Sequence, residues 1–338
     1  MKKVALALLV LLALAGGAAA VVYLRAKQFA DAPFGQKPVV VEIGKSSGPQ
    51  HIAKLLSGAG AVADADGFVR TLRWFHRGAV LKAGEYELAL PMSPTQIIDQ
   101  LVRGEILLHR FTVPEGLRVD EIAPIIGASG LCAEADFLKL ARSGEEAKKL
   151  GVTATSLEGY LFPDTYSMPK GIGCQGILTK MVSNARAALT QARGTGLDKK
   201  LTDAEVMTLA SIIEKETGQA EERPRISCVF HNRMRIGMPL QTDPTVIYAH
   251  LLTFDFQWDG KIHRSDLDRE HPYNTYKVRG LPPGPIASPG LAAMSAAVSP
   301  LTCKDLYFVS KNDHTHVFCP DLKCHSANVA KYQLGQKG

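Results

Sequence analysis

Uncharged residues run without a break from Val4 to Leu24, VALALLVLLALAGGAAAVVYL, behind Lys2 and Lys3. Such a run can cross a hydrocarbon core of about 30 Å. Ala18-Ala19-Ala20 offers an A-x-A-like cleavage site, but apolar residues continue past it, which favours a retained anchor over a signal peptide. Beyond the span, apolar positions recur at two periods. VVVEI and LKAGEYELAL read as strands, and between them lie GKSSGPQHIAKLLSGAG, with Ile52, Leu55 and Leu56 on one face, and DADGFVRTLRWFHRG, both read as helices. PMSPTQIIDQLVRGE then gives a capped helix before the strand ILLHRFTVPEG. GLRVDEIAPIIGASG and AEADFLKLARSG continue at helical spacing, whereas SLEGYLFPDTYSMPKG holds too much Gly and Pro for one helix. Residues 175–195 form another amphipathic helix. Thr202 followed by Glu205 is a capping box, opening a helix that sets Val206, Leu209, Ala210 and Ile213 at helical spacing until Gly218 stops it. A small-residue helix follows YNTYKVRGLPPGPIASPG, and DLYFVS with HTHVFC predicts a terminal pair of strands. The fold class is α+β, with an anchor over 4–24, a linker over 25–37, a small module over 38–110 and a larger domain over 111–338.

Composition narrows the picture. The chain has 338 residues, 46% of them hydrophobic, which is ample for a packed core. A net charge of +6 suits an anionic polymer or membrane surface, but 33 acidic residues are interspersed among 39 basic ones and no basic run is interleaved with aromatics, so a nucleic-acid partner is not expected. With Lys2 and Lys3 at the terminus and a single span, the bulk of the chain is expected outside the cytoplasm on the inner (plasma) membrane. Of the six cysteines, Cys319 and Cys324 are expected to bridge, whereas Cys228, inside ISCVF, reads as a buried free thiol. His314, His316, Cys319, Cys324 and His325 could hold zinc, but their spacing matches no usual structural site, and no metal or cofactor is assigned.

Nucleotide-binding, α/β-hydrolase and metalloprotease signatures are missing, which leaves carboxylate chemistry. Glu214 and Glu216 ride the last turn of the helix after Thr202, where burying a charge is costly. At 100° per residue they diverge by about 160° and cannot share one cleft as an acid and base pair. Spacing alone does not say which one works. Tyr160, Phe162 and Tyr166 could stack on sugar rings or plug a core. Arg223 and Arg233 could bind carboxylates of a ligand, though pairing with Glu221 or Glu222 is the plainer role.

SLEGYLFPDTY, ASIIEKETG, ER, VFHNRMRIGMPLQTDPTVIY, YNTY and GLPPGPI together resemble the endolytic murein transglycosylases of the MltG (YceG-like) family over nearly the whole chain. The resemblance implies cleavage of nascent glycan between N-acetylmuramic acid and N-acetylglucosamine, leaving 1,6-anhydro ends. It also implies a LysM-like module over residues 38–110 and peptidoglycan synthases as partners. Laid on the spore-cortex lytic enzymes, the segment gives Glu214 the separation from Asn232 that their catalytic Glu has, so Glu214 is the expected catalytic residue. Glu216, Asn232, Gln241, Thr242, Asp243, Tyr248, Asn274 and Tyr276 are the expected substrate-binding residues. One Glu can act as acid and then as base, with no second carboxylate. A hydrolytic muramidase and a noncatalytic peptidoglycan-binding scaffold are the alternatives. Cys319 and Cys324 depart from the family pattern.

Overall fold

The computed structural model describes residues 2–195, 200–253 and 261–335. The chain divides into two compact units, Met1–His109 with Met168–Gly171, and Arg110–Ser167 with Ile172–Gly338.

In the first unit, helix α1 (Lys2–Asp31) contains the whole apolar run, exposed along its length, and continues seven residues into the stretch expected as a linker. The extension has a cause in packing: Ala30 is buried and the Phe29 ring rests on Gly67, so the last two turns are held by the folded body. After α1 come β1 (Val39–Ile43), α2 (Pro49–Gly58), α3 (Ala65–Phe75), β2 (Gly84–Leu88) and α4 (Pro94–Arg103). This is the strand, helix, helix, strand order that the periodicity predicts. β1 and β2 are antiparallel, with Val41 opposite Tyr86. Phe68, Leu56, Tyr86, Ile97 and Leu101 close a core beneath them. Asp64 caps α3, and Ser93 with Gln96 completes a capping box on α4, the cap that the sequence announces.

β3 (Leu108–Val113) leads toward the second unit, where α5 (Val119–Ala128), α6 (Glu134–Ala141) and α7 (Gly144–Lys149) precede β4 (Asp164–Pro169). Three two-stranded sheets are present among the described residues, β1 with β2, β3 with β4, and the terminal pair described below. α8 (Gly173–Thr195) then leads to α9 (Asp203–Glu216), the centre of this unit. Thr202 and Glu205 make the predicted capping box, and Val206 through Ile213 are buried on every side. A helix apolar all round is stable only where neighbours enclose it. Here α10 (Arg223–Arg235), α11 (Asp243–Leu252) and α13 (Leu291–Val298), with the short α12 (Arg264–Asp268) between the last two in sequence, supply them, α13 packing most closely through Ala293, Ala296 and Ala297. The small residues of α13 let the two backbones approach. The chain ends in β5 (Tyr307–Ser310), antiparallel to β6 (His316–Cys319), and α14 (Leu322–Tyr332).

All six cysteines are bridged: Cys132 to Cys174, Cys228 to Cys303, and Cys319 to Cys324. The expected terminal bridge is present. The free thiol expected at Cys228 is not, because Cys303, 75 residues on, is brought against α10 by the fold. With Cys319 and Cys324 joined and His316 turned to Glu222 at 2.6 Å, the thiol and imidazole cluster weighed for zinc has no free sulfur. Tyr166 stacks on Phe111 and is buried, while Tyr160 and Phe162 pack against the core around α9, so these aromatics fill the interior.

Candidate active site

α9 ends by presenting its two glutamates to different surroundings. Glu214 faces α10 and α13. Its Oε1 accepts a hydrogen bond from Arg223 Nη2 at 2.7 Å, its Oε2 accepts one from the Gly290 N–H at 2.9 Å, and only 5% of the side chain is exposed. Arg223 also reaches Glu115 at 3.5 Å, and the neighbouring Lys215 donates to Gly116 O at 3.1 Å. Burial raises the Glu214 pKa, while the Gly290 N–H and Arg223 pull it back. Both oxygens of this carboxyl are engaged by the protein. Arg223 thus pairs with Glu214 and Glu115, not with the adjacent Glu221 or Glu222, because α10 turns it inward.

Glu216 opens on the other side, into a cavity of about 350 Å³ with Arg233, Gln241, Asp243, Tyr276, Tyr307 and His325 among its walls. Burial pushes its pKa up to about 7; the nearby Asp243 charge adds to the rise, and the Thr242 hydroxyl and Arg233 oppose it. At neutral pH this carboxyl is poised between its two protonation states. The walls are rigid. Tyr276 donates to Asp243 Oδ1 at 2.7 Å, and Gln241 sits at φ 50°, a left-handed backbone that its N–H bond to Thr275 O at 3.0 Å helps hold. Buried Thr242, Thr245 and Thr275 tie this turn together through hydroxyls, with Thr245 Oγ1 to Thr275 Oγ1 at 2.8 Å. Arg233 is fixed by donating to Leu306 O at 2.7 Å and Leu240 O at 2.5 Å, with its guanidinium 5.2 Å from the centre of the Tyr307 ring. His325 stacks on that ring, and its burial lowers its pKa.

The cavity therefore gathers Glu216, Gln241 and Asp243 with Tyr276, and buried Thr242 lies at its edge. Other expected binding residues lie elsewhere. Asn232 spends its amide on Cys303 O and Asp305 O at 3.1 and 3.0 Å, tying α10 to the segment before β5. Asn274 is buried and donates to Leu267 O and Arg269 O, which closes the loop after α12. Tyr248 lines a separate cavity of about 310 Å³, where its hydroxyl meets Glu158 Oε2 at 3.4 Å. Glu158, which the pattern of residues did not single out, has its pKa raised to about 7 by burial, and accepts from the Val119 N–H at the start of α5. Arg233, Tyr307 and His325 were likewise not expected in one wall with Glu216. Arg233 was legible only as a possible carboxylate binder and His325 only as a possible zinc ligand, and Tyr307 had no signal beyond the aromatics of DLYFVS.

The body is of mixed helix and strand, and Glu216 and the polar side chains around it line one cavity in it. Residues 41–331 match the YceG-like family, and the chain belongs to it. It is 30% identical over 334 residues to the endolytic murein transglycosylase of Streptococcus pneumoniae strain D39, and 31% identical over 313 residues to the protein of the same name in Bacillus subtilis strain 168. These alignments cover 88% and 87% of this chain, and 59% and 84% of the relatives. The chain thus spans less than two thirds of the pneumococcal protein. The crystal structure of a YceG-like protein from Listeria monocytogenes matches with a TM-score of 0.58 and 32% identity, covering 87% of this chain and all of that one.

Proposed function

We propose that this chain is an endolytic murein transglycosylase that cleaves the bond between N-acetylmuramic acid and N-acetylglucosamine in nascent glycan strands, with Glu216 as acid and then base. The observation that carries the reading is the cavity that a buried carboxyl of pKa about 7 lines together with Gln241, Asp243 and Tyr276. The register expectation favoured Glu214, but that carboxyl has both oxygens bound by Arg223 and Gly290 and holds α9, α10 and α13 together, which suits a structural role. In the proposed cycle the Glu216 carboxyl gives its proton to the glycosidic oxygen as the bond from muramic C1 breaks. The resulting carboxylate then takes the proton of the muramic C6 hydroxyl as O6 closes on C1. No water is consumed, and the carboxyl ends protonated. Gln241 would take an N-acetyl group, and Asp243, oriented by Tyr276, a sugar hydroxyl. We further assign α1 as a single membrane span with both units on the outer side, residues 38–110 as a LysM-like glycan-binding module, 111–338 as the catalytic domain, and peptidoglycan synthases as partners.

Incubating the protein with uncrosslinked glycan and weighing the products tests the reaction. Transglycosylation gives ends lighter by one water than hydrolysis, so reducing ends would establish a muramidase, and binding without turnover a scaffold. Glu216→Gln is expected to abolish anhydro products in a folded protein. Full activity in Glu216→Gln, with loss in a folded Glu214→Gln, would return the catalytic role to Glu214.

A further inference from the structure

The first unit carries a groove outside the glycan chemistry. α3 runs antiparallel to the distal part of α1: Gly67, in its first turn, lies under the Phe29 ring, and Phe75, its last residue, meets the Tyr23 ring edge-on with centroids 5.7 Å apart. α3 therefore points its C-terminal end back toward the apolar run, and the turn after it, made with Gly78 at φ 81°, follows at the level of Tyr23. Tyr23 is the next-to-last residue of the uncharged stretch Val4–Leu24. At 1.5 Å per residue that stretch is about 30 Å long, the thickness of a hydrocarbon core. Once it spans, Tyr23 and the end of α3 lie in the headgroup layer, where Tyr and Trp concentrate.

The groove there, of about 780 Å³, is walled by Tyr23, Arg73, Trp74, His76, Arg77 and Ala79. Trp74 is 49% exposed, and Val80 beside the groove is 75% exposed; a water-facing surface rarely places an indole and an isopropyl group so openly beside two arginines. His76 faces Asp99 at 3.5 Å, whereas among the described residues neither Arg73 nor Arg77 has an ion-pair partner. A guanidinium matches a phosphate in geometry and charge.

We propose that this groove binds the phosphodiester headgroup of an anionic phospholipid, with Arg73 and Arg77 on the phosphate oxygens and Trp74 and Val80 seated against the upper acyl chains beside α1. The proposal rests on the reading of α1 as a membrane span and is independent of the catalytic assignment. It gives the span a second contact with the bilayer, which would fix how the first unit is tilted on the surface.

The test uses the full chain with Trp258→Phe, which leaves Trp74 as its one tryptophan. It is reconstituted into phosphatidylcholine vesicles with and without phosphatidylglycerol, the lipids brominated high on the acyl chain. Flotation reports anchoring. Trp74 is expected to be quenched in the floating chain, and native mass spectrometry of chain released from mixed bilayers is expected to retain phosphatidylglycerol preferentially. Arg73→Gln with Arg77→Gln should still float but lower that retention by roughly tenfold. Unquenched Trp74 in floating chain, or retention unchanged in the double variant, overturns the site. The same Trp74 change produced by inorganic phosphate in detergent would mark a phosphate site without lipid and overturn the lipid assignment. A chain that does not float overturns the membrane reading and this site with it.

Discussion

Glu214 and Glu216 are two residues apart, and their fates differ because a helix turns about 100° per residue. Burial is the largest cause that raises both pKa values; what separates them is that Arg223 and Gly290 bind one carboxyl while the other lines a cavity with Gln241, Asp243 and Tyr276. A general acid must hold its proton in the free enzyme, so kcat/KM for glycan is expected to be flat below pH 7 and to fall about tenfold per pH unit above it. Rate against pH at fixed low substrate checks this, and a profile still rising at pH 8 would exclude Glu216 as the acid. The same shift affects stability. A carboxyl whose folded pKa is raised from 4.5 to about 7 holds a proton that the unfolded chain has released between those values, so folding stability declines as pH rises through that window. Glu158 adds a second contribution of the same sign. Denaturation midpoints should therefore drop from pH 4.5 to 7, and Glu216→Gln should flatten the slope without removing it. Glu214→Gln leaves Arg223, 9% exposed, facing only Glu115; a loss of about 3 kcal/mol is expected in denaturant unfolding. The opposing faces of the two glutamates were readable from spacing, but the surroundings of each were not. Those depended on Gly290, 76 residues downstream, and on Arg223 turning inward.

Local signals located most elements. The capping boxes at Ser93 and Thr202 and the alternating apolar positions of β1 and β2 are decided within a few residues, which is why the sequence pattern finds them. β4 and α14 escaped. In β4 the buried Tyr166 and Met168 do alternate with exposed Ser167, but Pro163 and Pro169 bracket them and mask the period. α14 has no fully buried residue, so no apolar stripe announces it; only Asp321, capping the Cys324 N–H at 2.8 Å, marks its start. The three bridges act on elements of unequal weight. Cys228–Cys303 closes 75 residues of chain across the packing of α10, and cross-linking a loop of that size restricts the unfolded chain by about 4 kcal/mol. Replacing both cysteines by serine is expected to cost most of that in denaturant unfolding. Cys319–Cys324 closes only a short turn, so its stability contribution is smaller, yet it anchors the start of α14, from which Leu322 and His325 enter the Glu216 cavity. Cys319→Ser with Cys324→Ser should raise KM for glycan more than it lowers the unfolding midpoint. The opposite ranking would show that the bridge holds the fold and leaves the cavity indifferent.

At the scale of the molecule, the apolar run is nearly separate from the core of the unit it belongs to. Val4 through Leu24 contribute no residue to the core, and within the first unit α1 meets the body mainly through its final turns, where Phe29 lies on Gly67 and Ala30 is buried. Exposed apolar surface of this length is unfavourable in water and favourable in lipid, by about 25 cal/mol for each Å² removed from solvent. Deleting residues 2–22 should therefore cost the fold little: Tyr23 keeps its ring contact with Phe75, and both cores are untouched. The shortened protein is expected to be soluble without detergent, to melt within a few degrees of the full chain, and to cleave isolated glycan strands at an unchanged rate. It should lose vesicle flotation. The comparison that matters is with a membrane-bound substrate: if the span serves to hold the cavity near newly made strands, the truncated protein loses activity on glycan still attached to a lipid carrier in vesicles while keeping it on free strands. Equal losses on both substrates would mean that the span supports the catalytic fold itself, contrary to its exposure in the structure.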